Sequence, residues 1–235
     1  MTGRKGRFDG ALYAANTAHH RAYDDAVLAG VPLAPGRVVG LDVSPSQVAW
    51  AAAHHPGPRF ATGRAQDVGA LFAPASFDVV VSVATLHWVP AGEQADVLAG
   101  VARVLRGGGM LRADLGGVGQ IAAARAVLDD VSARHGGPAS PWYFPEPQAY
   151  AELLSAAGLA VRRSALVHQR RSMPDAAAFE GWLRSQVLPA YLPGVAPDAR
   201  EAFAAECVRE GVAGLRRADG SYDQDYVRLD VLATR

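Results

Sequence analysis

The chain has 235 residues, half of them apolar, which is enough to bury a sizeable core as one domain, 1–235, and argues against a disordered chain. Its 23 Lys and Arg balance 23 Asp and Glu, so the basic footprint that nucleic acid requires is missing, as is an acidic tail. The single cysteine, Cys207, rules out an internal disulfide and fits a reducing compartment. No stretch reaches membrane-spanning length, and Phe8-Asp9-Gly10 stands where a signal peptide needs its apolar run, so no membrane partner and a cytoplasmic location are expected.

Phe8 to Gly30 carries Leu12, Ala15, His19, Ala22, Ala26 and Ala29 at helical spacing, which predicts a leading helix. Asn16, His20 and Asp24 share a face of it, but an amide and two ligands make a poor metal site, and no metal is expected. Arg37 to Asp42 reads as a short buried strand ending in a carboxylate. Ser44-Pro45-Ser46-Gln47 then opens a helix to about His54, with Ser44 as N-cap and Gln47 closing a capping box. Asp42 therefore stands at the carboxyl end of a strand, where open parallel sheets bind ligands. It either accepts the two hydroxyls of a ribose or merely supports the turn.

Arg59 to Thr62 is a second short strand, and Gly63 to Val68 turns away with small and polar residues suited to a flat heteroaromatic ligand. Phe77 to Val83 is the strongest strand of the chain and leads into Leu86-His87-Trp88-Val89-Pro90. A helix with Val97, Leu98, Val101, Val104 and Leu105 on its core stripe follows. Gly107-Gly108-Gly109 stops it, and Met110 to Leu115 returns as a strand. This rhythm predicts right-handed crossovers and a mostly parallel sheet.

Gly117-x-Gly119-x-x-Ala122 mimics a dinucleotide fingerprint, with Ile121, Ala124, Leu128 and Val131 on one helical face beyond it. A nicotinamide site would also need a strand ending in an acid about twenty residues on, and Ser140 to Pro145 does not supply one. A helix from Glu146 to Gly158, a strand over Leu159 to Gln169, a helical insertion at about 174–220 and a last strand over Gln224 to Thr234 complete the chain. Cys207 shares an apolar helical stripe with Phe203 and Leu215, which makes it a core residue.

Val39-Gly40-Leu41-Asp42-Val43-Ser44-Pro45-Ser46, Gly63 to Asp67, Phe77 to Val80 leading to Leu86 to Pro90, and Val104 to Gly109 follow one another as in the class I S-adenosylmethionine-dependent methyltransferases. The chain resembles that family over nearly its whole length. Phe144 to Pro147 and Asp225 to Leu229 are similar to its trans-aconitate methyltransferase-like branch. The resemblance implies an α/β, Rossmann-like sheet of seven strands, mostly parallel with an antiparallel last strand, and a helical cap. It implies S-adenosylmethionine as cofactor, with Asp42 and Val43 at its ribose, Arg64, Ala65 and Gln66 at its adenine, and Val83 and Ala84 at its methionine part. Trp88, Trp142, Tyr143 and Arg171 are expected to line the site of a small-molecule acceptor, with Arg171 recognising a carboxylate. His87 would be the base for a hydroxyl acceptor.

In one respect the sequence departs from that family. Its first strand, glycine-rich loop and helix would need roughly twenty to twenty-five residues before the Asp42 strand. Only Pro32-Leu33-Ala34-Pro35-Gly36 occupies that place, and the expectation is that this first unit is lost. In the other register Arg37 to Asp42 is itself the first strand, which sets Asp42 to Ser46 where glycines should be. Three functions follow in order: methyl transfer to a small molecule such as a carboxylate, a non-catalytic protein of the same fold, and nicotinamide-dependent oxidoreduction. Oligomeric state is not legible.

Overall fold

The computed structural model describes Leu28, Val31 and residues 38–235, the Arg170 side chain excepted. Apart from Leu28, the leading helix expected over 8–30, with His19, His20 and Asp24, lies outside the described residues, as does the segment 32–37.

Strands β1 (Val39–Asp42) and β2 (Arg59–Thr62) pair in parallel from Val39 opposite Arg59 to Asp42 opposite Thr62, with helix α1 (Pro45–His54) between them. Ser44 caps α1, its Oγ accepting the Gln47 N–H at 3.4 Å. The capping box is not closed by Gln47. The Ser44 N–H instead meets Asp42 Oδ1 at 2.7 Å, because a carboxylate two residues upstream is a stronger acceptor than a side-chain amide. Asp42 thereby does two things, ending the strand and fixing the start of the helix.

Helix α2 (Val68–Leu71) leads to β3 (Phe77–Val83), α3 (Gln94–Val104) and β4 (Leu105–Gly116). Leu105, expected on the helical stripe, instead opens the strand. Phe77 stands opposite Leu105 and Val79 opposite Met110, so the intervening residues with their three glycines bulge out of the ladder. Gly108, at φ 78°, adopts the left-handed turn this requires. Helices α4 (Ala122–Arg134) and α5 (Pro147–Ala156) precede β5 (Ala160–Met173), whose pairing extends past the expected end at Gln169 because its partner continues to Tyr222. Helices α6 (Ala176–Trp182), α7 (Leu188–Tyr191) and α8 (Arg200–Gly214) then lie between β5 and β6 (Tyr222–Thr234).

The larger sheet runs β3-β4-β6-β5, with β3 and β4 parallel and β6 antiparallel to both neighbours. The family sheet of seven strands less its first unit leaves six, the number the described residues form, here divided into two sheets. Val38 and Val43, flanking β1, and Val81, within β3, are exposed large apolar residues. The two sheets are joined through the segment after β2. Arg103 of α3 donates to the carbonyls of Gly69 and Phe72, and Arg64 and Gln66 both donate to Glu93 Oε2 at 2.7 and 2.5 Å. The carboxyl end of β2 is thus tied to the loops that follow β3.

Alternation along the strands sorts the faces of the larger sheet. Leu111, Ala113 and Leu115 of β4 and Leu229, Val231 and Ala233 of β6 pack under Val97, Leu98 and Val101 of α3 and Tyr150 and Leu154 of α5. Arg112, Asp114, Arg228 and Asp230 alternate with these on the opposite face, as two ion pairs. Arg228 Nε donates to Asp114 Oδ1 at 2.8 Å with both residues almost wholly buried, and Arg112 pairs with Asp230.

A second core joins α4 to α6, α7 and α8 through Leu128, Val131, Phe179, Trp182, Tyr191, Phe203 and Cys207. Cys207 is fully enclosed in this core, as expected, and burial pushes its thiol up to about 12. At the rim, Arg134 of α4 reaches Glu206 and Glu210 of α8 at 2.9 and 2.6 Å, and His135 Nε2 meets Glu206 at 2.7 Å. These charges are solvated, so Arg134→Ala is expected to lower Tm only slightly, with the difference shrinking in molar salt. Thermal melts of the two proteins at low and high salt measure this.

Candidate active site

Asp42, Ala84 and Gly116 follow or end β1, β3 and β4. Asp42 lies at the surface end of β1, and partial desolvation by the surrounding chain holds its carboxyl above the ordinary range, partly offset by the Ser44 N–H. An ionised carboxylate has about four acceptor positions, and Ser44 uses one, which leaves capacity for a pair of vicinal hydroxyls. Val43 beside it is exposed. Arg64 and Gln66, expected at an adenine, are brought together on Glu93, a residue that sequence reasoning missed, while Ala65 packs against the sheet core.

Val83 stands opposite Asp114 in the ladder. Ala84 is left-handed at φ 53°, costly for a residue with a Cβ. Its N–H is nonetheless fixed on the Asp114 carbonyl at 2.8 Å, so the chain is forced to turn sharply out of β3. The short 3₁₀ turn Leu86–Trp88 follows. Leu86 and Val89 bury into the sheet core, and His87 and Trp88 are set on the other side of the turn.

Four rings close on one another there. His87 lies 5.8 Å from Trp88 and 5.7 Å from Phe144, and Trp142 lies 5.4 Å from Trp88 and 5.9 Å from Phe144. Of the residues expected at the acceptor, Trp88 and Trp142 are therefore brought together with His87. Phe144 was not anticipated, although its two-residue spacing from Trp142 was visible. Tyr143, between them, donates its N–H to the His87 carbonyl at 3.0 Å and packs its ring on the sheet core, where burial raises its hydroxyl pKa. Arg171 is held by a different aromatic, its guanidinium 3.5 Å from the centre of the Tyr226 ring on β6.

His87 is itself buried, and its Nδ1 accepts the Gly116 N–H at 3.2 Å. In the neutral ring the proton is then on Nε2, which suits His87 to donate a hydrogen bond there rather than to accept a proton. Gly116 and Gly117 owe their lack of a side chain to close packing. A Cβ on Gly116 would come within 2.4 Å of the Phe144 ring, and one on Gly117 within 2.5 Å of Leu166. Gly117, the first glycine of the dinucleotide-like pattern, is thus packed against the sheet, and the strand that follows, β5, starts only at Ala160 rather than about twenty residues on.

Among the described residues no group of three or more His, Cys, Asp or Glu is placed to hold a metal ion. No helix among them is long and apolar enough to cross a membrane. A groove of about 430 Å³ is lined by Glu146, Gln148, Arg162, Arg163 and Ser164, at the start of β5 and away from the strand ends described above.

The fold is the Rossmann-like α/β fold of class I methyltransferases. A Bacillus halodurans protein named among the methyltransferases shares it at 17% identity over 85% of this chain and 83% of its own, with a TM-score of 0.54. A chain of the complex between a Haloferax volcanii methyltransferase activator and its methyltransferase matches at 17% identity over 99% of both chains, again at 0.54. A [4+2]-cyclase matches equally well, at 16% identity and 0.54, so the fold alone does not fix the reaction. In sequence, residues 13–113 match the methyltransferase domain model. An uncharacterized methyltransferase of Schizosaccharomyces pombe is 30% identical over 133 residues, 53% of this chain and 51% of that protein. The chain thus spans about half the length of the curated relative it matches. S-adenosylmethionine is the cofactor of this methyltransferase class, and a carboxylate with unused acceptor capacity at the end of β1 fits its ribose.

Proposed function

We propose that the protein transfers a methyl group from S-adenosylmethionine to a small-molecule acceptor, and the observation that carries this reading is Asp42 at the end of β1. When bound, S-adenosylmethionine supplies a methyl group activated by its sulfonium. Asp42 accepts the ribose hydroxyls and Val43 lies beside them, while Arg64, Ala65 and Gln66, braced by Glu93, border the adenine. The turn out of Val83 and Ala84 flanks the methionine part. The rings of His87, Trp88, Trp142 and Phe144 keep water from the acceptor side, which favours neutralisation of charge between a carboxylate and a sulfonium. In this reading no base is required of His87, because a carboxylate is already deprotonated. The His87 ring faces the acceptor side among the other rings, Tyr143 supports the turn from behind, and Arg171 holds a second carboxylate of an acceptor such as trans-aconitate. The fold is one body with a helical cap over 174–220, acting in the cytoplasm.

The test is transfer of a radiolabelled methyl group from S-adenosylmethionine to a panel of mono-, di- and tricarboxylic acids. Ester formation with a polycarboxylate is expected. Equal label on amines and no carboxylate would contradict the acceptor class. The division of the described strands into two sheets supports a second reading, a non-catalytic protein of the methyltransferase fold, in which case cofactor binds weakly and no acceptor is labelled.

A pH dependence follows from Asp42. The cofactor's hydroxyls donate to the ionised carboxylate, so affinity is full above the raised pKa and falls as pH drops through it. Affinity for S-adenosylhomocysteine should therefore weaken at a higher pH than an ordinary Asp would give. Calorimetric titrations across the acidic range measure this, and an affinity flat down to the ordinary Asp range contradicts it.

A further inference from the structure

We infer that Gln94 is the positioning residue that sets how the Leu86–Trp88 turn presents His87 and Trp88 to a bound ligand. The inference rests on the reading of this turn as the methionine side of a cofactor site. Gln94 opens α3 and is completely buried. Its Nε2 donates to the carbonyls of both Leu86 and Val89, at 2.8 and 2.9 Å, the two residues that bracket His87 and Trp88.

Two carbonyls can be satisfied only by the NH₂ group, so the amide has one possible orientation, with Oε1 turned away. Oε1 then needs a donor, and the buried Tyr150 hydroxyl of α5 lies 3.4 Å from it. Burial pushes the Tyr150 pKa up, so the hydroxyl keeps the proton that it donates. Tyr150, Gln94 and the turn form one chain of hydrogen bonds through the sheet core. The turn is pinned from the other side by Tyr143 N–H on the His87 carbonyl and Gly116 N–H on its ring. Without Gln94, the carbonyls of Leu86 and Val89 would lose the amide that holds them, and the turn would rotate to find other donors.

Gln94→Met keeps the volume and removes both donors. Tyr150→Phe removes only the hydroxyl, and Leu154→Ala, in the same core, serves as a control that lowers stability by a different route. Two quantities are read: the indole N–H resonance of Trp88 in the ¹⁵N-labelled protein, assigned by its loss in Trp88→Phe, and affinity for S-adenosylhomocysteine. Gln94→Met should move the Trp88 resonance and weaken binding about tenfold, with Tyr150→Phe doing the same to a smaller extent. Leu154→Ala should leave both near wild type at a comparable loss of Tm. A Trp88 resonance and an affinity unchanged in Gln94→Met would overturn the inference, as would equal shifts in Leu154→Ala. If Gln94→Met does not fold, Tyr150→Phe decides by the same readings. If the wild type does not bind S-adenosylhomocysteine, the cofactor reading fails, and the Trp88 resonance still decides the role of Gln94.

Discussion

Arg228→Met is expected to destabilise the protein by about 3 to 5 kcal/mol, the range for removing one member of a buried ion pair. Asp114 is fully buried and Arg228 is 2% exposed, so the carboxylate left behind cannot reach water. It also stands directly opposite Asp230 across the β4–β6 ladder. Arg228 balances the Asp114 charge, while Arg112 and Arg163 pair with Asp230. The cost therefore comes mainly from removing the nearest cation of a buried carboxylate. Replacing both partners with apolar residues, Asp114→Leu with Arg228→Met, should recover much of it. By contrast Arg163, which meets the same Asp230 at 2.9 Å but is 46% exposed, should cost under about 1 kcal/mol when changed to Ala. Urea unfolding with an unchanged slope measures all three. A loss below about 1 kcal/mol in Arg228→Met would show that Asp114 finds water or another partner.

Asp42→Ala is expected to weaken S-adenosylhomocysteine binding by about 3 kcal/mol, roughly 150-fold, since hydrogen bonds to a charged group contribute about 1.5 to 3 kcal/mol each. Asp42→Asn keeps one acceptor oxygen and should fall between the two. Neither change should reduce stability much, because Asp42 is surface-exposed and its Ser44 contact can be replaced by water. Affinity and Tm therefore separate a binding role from a supporting one. A Tm loss with unchanged affinity would make Asp42 a turn residue only.

Much of this architecture was legible because local chemistry dictated it. The helix over Pro45–His54 and the strands over Arg59–Thr62 and Phe77–Val83 have the bounds that their caps, prolines and apolar runs implied. Gln47 failed as a capping partner because a charged acceptor, Asp42, was nearer to hand. Arg112 and Asp114 alternate with Leu111, Ala113 and Leu115, a pattern that usually marks a solvated face. They are buried because their partners, Asp230 and Arg228, arrive from a strand more than a hundred residues away. Glu93 and Gln94 look like ordinary polar residues at a helix start. Only the fold shows that one braces Arg64 and Gln66 and the other holds the turn carrying His87. The aromatic grouping of Trp88 with Trp142 was anticipated, but the placing of Arg171 over Tyr226 depends on the β5–β6 register, which extends past the expected strand end.

The most direct test of the account is a calorimetric titration of the 235-residue protein with S-adenosylhomocysteine. The account predicts saturable one-to-one binding in the micromolar range. A cooperatively folded sample that releases no heat, and shows no protection from unfolding by the ligand, would contradict it and leave a methyltransferase fold without its cofactor.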